Sequence, residues 1–113
     1  MTKDMINQAV TRFAEEIKGI YGDKLHKVIL YGSCARGDFE EGSDIDIMVL
    51  LDVPQDEIKN ERGKARTVAN NLDKEFDYDV LLMPTVQSRA HFEKYENVLP
   101  LFTSIHKEGI AYV

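Results

Sequence analysis

The sequence predicts an α+β fold of α/β-like character, a small mixed β-sheet with helices packed on it. Three observations predict it. Two long segments repeat apolar residues at helical spacing, short apolar runs stand between and after them, and glycine or proline marks most of the junctions. Helix, strand, strand, helix, strand and then short elements is an order that buries one sheet under helices.

From Thr2 to Tyr21, Ile6, Val10, Phe13, Ile17 and Ile20 recur at steps of four and three. That is the apolar stripe of an amphipathic helix, with Thr2 as N-cap and Gly22 as the stop. A strand is expected at Val28–Tyr31, ending at Gly32-Ser33, and a second from Asp44 to Leu51, with Pro54 beyond it. Between Gln55 and Phe76, the residues Ile58, Ala65, Val68, Ala69 and Leu72 share one helical face, interrupted in the middle only by Gly63. A third strand is expected from Tyr78 to Met83, ending at Pro84. A helix around Ser88–Tyr95, a short helix after Pro100 and an edge strand at Ile110–Val113 complete the chain. Val98, Leu99, Leu101 and Phe102 are expected to close the core rather than form an interface.

With 113 residues, the chain is expected to form one domain, residues 1–113, large enough to bury a core without disulfide or metal staples. The single cysteine, Cys34, excludes an intrachain disulfide and suits a reducing compartment. The charged start lacks the apolar core of a secretory signal, and no apolar run approaches the ~20 residues that span a bilayer, so a cytoplasmic location is expected. Twenty acidic residues against fourteen basic ones give a net charge of -6. This balance argues against a direct grip on a nucleic-acid backbone. It suits acids gathered around metal ions, or a basic partner.

Three motifs carry chemistry. Gly32-Ser33-Cys34-Ala35-Arg36-Gly37 follows an apolar strand. Glycine there admits a close ligand, and the N–H groups of the following helical turn favour a phosphate. In Ser43-Asp44-Ile45-Asp46-Ile47-Met48-Val49 the two aspartates, two apart on a strand, share a face, while Ile45, Ile47 and Val49 turn to the core. Paired carboxylates repel unless cations lie between them, and hard oxygen ligands on a rigid strand suit Mg²⁺ or Mn²⁺. Asp77-Tyr78-Asp79-Val80-Leu81-Leu82 offers a third carboxylate; Asp79 is preferred as lying within the strand, with Asp77 the competing candidate. His26, His91 and His106 lack metal-ligand spacing, Tyr31 reads as sheet packing, and Cys34 as a small side chain packed in the turn.

Gly32-Ser33, Arg36-Gly37 and Ser43-Asp44-Ile45-Asp46, with an acid on a later strand, resemble the signature of the polymerase-β nucleotidyltransferase superfamily. The chain is similar to its minimal nucleotidyltransferases, the MNT proteins, over about Val28–Met83 and more weakly over Asn97–Tyr112. The resemblance implies that Asp44 and Asp46 bind two Mg²⁺ ions, or Mn²⁺, and that Asp79 holds the catalytic one and helps to deprotonate an attacking hydroxyl. It implies that Gly32 and Ser33 hold the triphosphate tail of a nucleotide such as ATP. Arg36 and Ser43 are implied to add charge or hydrogen bonds nearby, against the plainer readings of a surface cation and a turn residue.

Larger superfamily members carry a second domain for the acceptor, whereas only about thirty residues follow Met83 here. MNT proteins of this size are often paired with HEPN toxins. The resemblance therefore implies an antitoxin that transfers AMP from ATP to a tyrosine of a HEPN partner. Two other readings stand beside it: a catalytically silent module that neutralises its partner by masking, and a nucleotidyltransferase acting on a small molecule such as a drug.

Overall fold

A computed structural model describes residues 1–113. Helix α1 (Lys3–Tyr21) leads through a 3₁₀ turn at Gly22–Lys24 into strand β1 (Leu25–Tyr31), which ends at the one-turn helix α2 (Ser33–Arg36). Strand β2 (Ile45–Leu51), a 3₁₀ segment at Gln55–Asn60 and helix α3 (Arg62–Glu75) follow. Strand β3 (Leu82–Ser88), helices α4 (Arg89–Tyr95) and α5 (Pro100–Glu108), and the two-residue strand β4 (Ile110–Ala111) close the fold. No helix is long and apolar enough to cross a membrane.

The sheet runs in the order β3-β2-β1-β4 and is mixed: β1 is antiparallel to β2 and β4, while β2 and β3 run parallel. This is the small mixed sheet expected from the sequence. One face carries Val28, Leu30, Ile45, Ile47, Val49, Leu82 and Val86 into the larger core beneath α1 and α3. The other face carries Ile29, Met48 and Leu50 under Phe92 of α4 and Phe102 and Ile105 of α5. Helices therefore cover both faces, and β2, central to the sheet, is buried on both over most of its length.

Helix α1 forms as its periodicity predicts. Ile6, Val10, Phe13 and Ile17 are buried, the Thr2 hydroxyl accepts from the Met5 N–H at 3.1 Å, and Gly22 ends the helix at φ 53°. Ile20 departs from the expected stripe: it is exposed, and Tyr21 fills the last core position. The segment from Gln55 to Phe76 splits, its first part tightening to 3₁₀ with Ile58 still buried.

The third strand requires the larger correction. It does not run from Tyr78 to Met83 and stop at Pro84 but begins at Leu82 and passes through Pro84 to Ser88. Proline has no N–H to give, yet β3 is an edge strand, where that loss costs no ladder bond. Side chains close the same edge on either side of it, for Asp73 Oδ1 accepts from the Leu82 N–H at 2.9 Å and Gln55 Oε1 from the Ser88 N–H at 3.2 Å. Tyr78, expected to open the strand, and Asp77 before it instead adopt φ of 60° and 54° in a tight turn after α3. Near the end of the chain Phe102 is buried as expected, but Val98, Leu99 and Leu101 are exposed and do not close the core.

Candidate active site

Strand β1 ends at Gly32, whose φ of 75° and ψ of -156° belong to a region essentially reserved for glycine. Space enforces the same choice: a Cβ at this position would lie 2.6 Å from Asp46 Oδ2. The backbone at Gly32 and the Asp46 carboxylate are thus packed against each other, and the glycine exists to allow it. The Gly32 carbonyl accepts from the N–H groups of Ala35 and Arg36, each at 3.1 Å, which folds the chain into α2. Cys34 is buried against the main core, its thiol donating at 3.6 Å to the Asp44 carbonyl. Burial pushes that thiol pKa up, the opposite of an activated nucleophile.

Antiparallel pairing sets Tyr31 opposite Asp46, and parallel pairing sets Met83 opposite Asp46 on the other side. Asp44 immediately precedes β2 and is exposed, while Asp46 is half-buried. Burial first, and then the charge of Asp44, raise the Asp46 carboxyl above the ordinary aspartate value, with Arg36 opposing. Tyr31, half-buried, is likewise pushed up, mainly by burial. None of the eight ion pairs of the molecule involves Asp44 or Asp46. Two neighbouring carboxylates, one held against backbone and neither in an ion pair within the chain, form a donor set that fits a divalent cation.

The remaining residues read from the sequence fall out differently. Ser33 opens α2 half-buried, next to Gly32. Ser43 closes a turn, its hydroxyl accepting from the Glu40 N–H at 2.9 Å. Arg36 is exposed and paired with Asp38 at 3.3 Å and Glu108 at 3.4 Å. Asp79 lies in the bend before β3 rather than inside it, and Asp77 sits in the preceding turn; both are exposed. No group of three acidic, histidine or cysteine side chains converges as a metal site, so the structure brings Asp44 and Asp46 together without a third carboxylate. The histidines are scattered, with His91 packed on Tyr95 and Phe102, and His106 beside Glu96.

Two contributions escaped the sequence. Asp73, only 7 % exposed in α3, anchors the start of β3 through Leu82 and accepts from the Tyr78 N–H with its carbonyl, at 2.8 Å. Its helical position among Val68, Ala69 and Leu72 is the one signal that marked it as inward-facing. Leu81 and Met83, 40 % and 38 % exposed, stand beside the carboxylates, a placement the sequence reading did not make.

Known proteins bear on the family and the fold. A relative from Methanocaldococcus jannaschii named "putative protein adenylyltransferase" is 34 % identical over 85 residues, covering 75 % of this chain and 82 % of its own length. A second protein of that name and organism is 45 % identical over 49 residues, covering 43 % of this chain and 49 % of its own. Among solved structures, a Sulfolobus solfataricus "putative nucleotidyltransferase" superposes with a TM-score of 0.59 at 15 % identity, over 96 % of this chain and 80 % of that one. A mutant of the toxin–antitoxin MntA-HpeT superposes with a TM-score of 0.50 at 17 % identity, over 100 % and 73 %. At such identities these two likenesses speak for the fold. The profile of the nucleotidyltransferase domain matches residues 10–110, and with it the chain belongs to the nucleotidyltransferase family of the polymerase-β superfamily.

Proposed function

We infer that this nucleotidyltransferase transfers AMP from ATP to a hydroxyl of a partner protein, a tyrosine of a HEPN-type toxin, and thereby acts as its antitoxin. The observation that carries the transfer reading is the pair Asp44–Asp46, in no ion pair with the rest of the chain, with Asp46 packed against the Cβ-free backbone of Gly32. The names of the relatives support a protein as acceptor, and the toxin–antitoxin neighbour supports the choice of partner.

In this reading Asp44 and Asp46 would hold Mg²⁺, with Asp79 as the third ligand. When bound, the ions supply positive charge that stabilises the attacking and leaving oxygens of an in-line displacement at the α-phosphate. Gly32 and Ser33 hold the triphosphate tail at the end of β1, and Arg36 and Ser43 flank it. For Arg36 that means exchanging Asp38 and Glu108 for phosphate; for Ser43 it adds to the turn it already closes. Burial first and the charge of Asp44 second disfavour the ionised Asp46, and a cation bound there would offset both.

The open position of the third carboxylate favours one rival, a silent antitoxin that neutralises by masking alone. Incubation of the protein and its partner with Mg²⁺ and α-labelled ATP separates the two. Label on the partner, lost in Asp44→Asn/Asp46→Asn, is expected; a partner that stays unlabelled yet neutralised by the double variant would establish masking.

A further inference from the structure

We propose that Leu81 and Met83 form the platform on which the acceptor docks, and that the acceptor they fit is an aromatic alcohol, a phenol such as a tyrosine side chain. This rests on the reading of Asp44–Asp46 as the transfer site.

Register places the platform. Met83 of β3 pairs with Asp46, and the Leu81 carbonyl accepts from the Ile45 N–H at 2.8 Å, which sets Leu81 beside Asp44. Leu82, partner of Ile45, enters the core under α1 and α3. Its neighbours on either side therefore turn to the opposite face, the one that carries the aspartates. Further along that face Met48 and Leu50 are covered completely or nearly so, at 0 % and 2 % exposure. Leu81 and Met83, at 40 % and 38 %, are the apolar side chains that the helices leave open, and they flank the two carboxylates.

In-line chemistry assigns the side. In the function proposed above the tail of the triphosphate lies at Gly32 and Ser33, at the end of β1, and the sheet order places β1 and β3 on opposite sides of β2. An in-line displacement sets the attacking oxygen opposite the leaving one. As the acceptor oxygen bonds to the α-phosphorus, the bond from phosphorus to the bridging oxygen of the β-phosphate breaks. Pyrophosphate leaves with that electron pair, and the hydroxyl proton passes to a carboxylate or to solvent. With the leaving group over β1, the acceptor arrives over β3. Neighbouring strands lie ~4.8 Å apart, so a ring resting on Met83 has its hydroxyl within reach of a phosphate held at Asp46. A thioether and a branched aliphatic side chain offer the soft, apolar contact that an aromatic ring prefers.

The test separates docking from chemistry. With ¹³C-methyl methionine, the Met83 resonance is identified among the four methionines by its loss in Met83→Leu. With Mg²⁺ and a non-hydrolysable ATP analogue present, N-acetyl-tyrosinamide is expected to shift that methyl upfield, whereas N-acetyl-serinamide leaves it in place. In the transfer assay, Leu81→Ser/Met83→Ser is expected to raise KM for N-acetyl-tyrosinamide at least about tenfold, the scale on which apolar contacts discriminate, with KM for ATP held. A Met83 methyl that answers to the nucleotide alone overturns the proposal and gives the platform to the base; so does an unchanged KM for the phenol. A phenol-induced shift without AMP transfer to any acceptor leaves the platform standing and removes the transfer reading instead.

Discussion

The two ends of strand β2 share one backbone and one face of one sheet, yet they do opposite things. At its far end Met48 and Leu50 lie under Phe92, Phe102 and Ile105 and belong to a closed core. At its near end, Asp44 and Asp46 continue the same alternation toward open space, flanked by Tyr31, Met83 and Leu81. Pairing with β1 is regular from Asp46 to Leu50 and shifts only at Leu51; what changes between the two ends is the cover. Helices α4 and α5 shield the face as far as Met48 and stop there. The comparison teaches that the site owes its place to where the helices end, and its rigidity to the core behind it, where Ile45 and Ile47 are fully buried.

The largest effect that sharpens this comparison belongs to the covered end. Leu50→Ala is expected to cost about 2–5 kcal/mol of unfolding free energy, because a fully packed side chain leaves both its transfer energy and a cavity behind. Urea denaturation checks it. Asp46→Asn, at the open end, should leave stability intact or improve it, since it removes a charge that burial and Asp44 disfavour. Equal destabilisation at both ends would erase the distinction between core and site.

Next in size is the junction of the two aspects, Gly32. Gly32→Ala forces an L side chain into a glycine region, at a strain of order 1–3 kcal/mol, and drives its Cβ into the Asp46 carboxylate. The two causes separate in a double-mutant cycle: in an Asp46→Ala background the collision disappears and only the backbone strain remains. Chemical denaturation of the four proteins should show a smaller cost of Gly32→Ala in that background. An identical cost in both backgrounds would mean that the carboxylate moves aside freely and is not held in place by the glycine.

How much of this was legible follows the same division. Regular periodicity read correctly: α1 from Ile6, Val10, Phe13 and Ile17, and the inward set Ile45, Ile47 and Val49 of β2. The joint occurrence of Gly32 and Asp46 was legible as a motif, although only coordinates reveal that one fills the space the other lacks. What failed was β3. Pro84 looked like a terminator, because a proline denies the ladder a donor, and nothing local in the sequence says that its strand lies at an edge. Shifting that strand took Asp79 out of it and exposed Leu81 and Met83 beside the aspartates. The helical face could mark Asp73 as inward-facing but not as an anchor, for a related reason, since its partner, the Leu82 N–H, is set by tertiary contact nine residues away.

The smallest effect is the dependence of stability on pH, and it tests whether the open end is built for a cation. Asp46 titrates above its ordinary value of 3.8 in the folded chain. In that window the folded state binds more protons than the unfolded one. Its contribution to stability is therefore complete below 3.8 and is lost as pH rises through the raised pKa. Asp73, raised by burial, contributes with the same sign, so Asp46→Asn should flatten the fall without abolishing it. Urea denaturation across this range, in a chelator, is expected to show the shallower slope in the variant; coincident slopes would remove Asp46 from the account. Adding Mg²⁺ at neutral pH should then stabilise the wild type by mass action and leave Asp46→Asn largely unmoved, because an ion that neutralises the pair binds only the state that assembles it. If both proteins respond alike, the ion is bound elsewhere and the carboxylates at the open end are not its ligands.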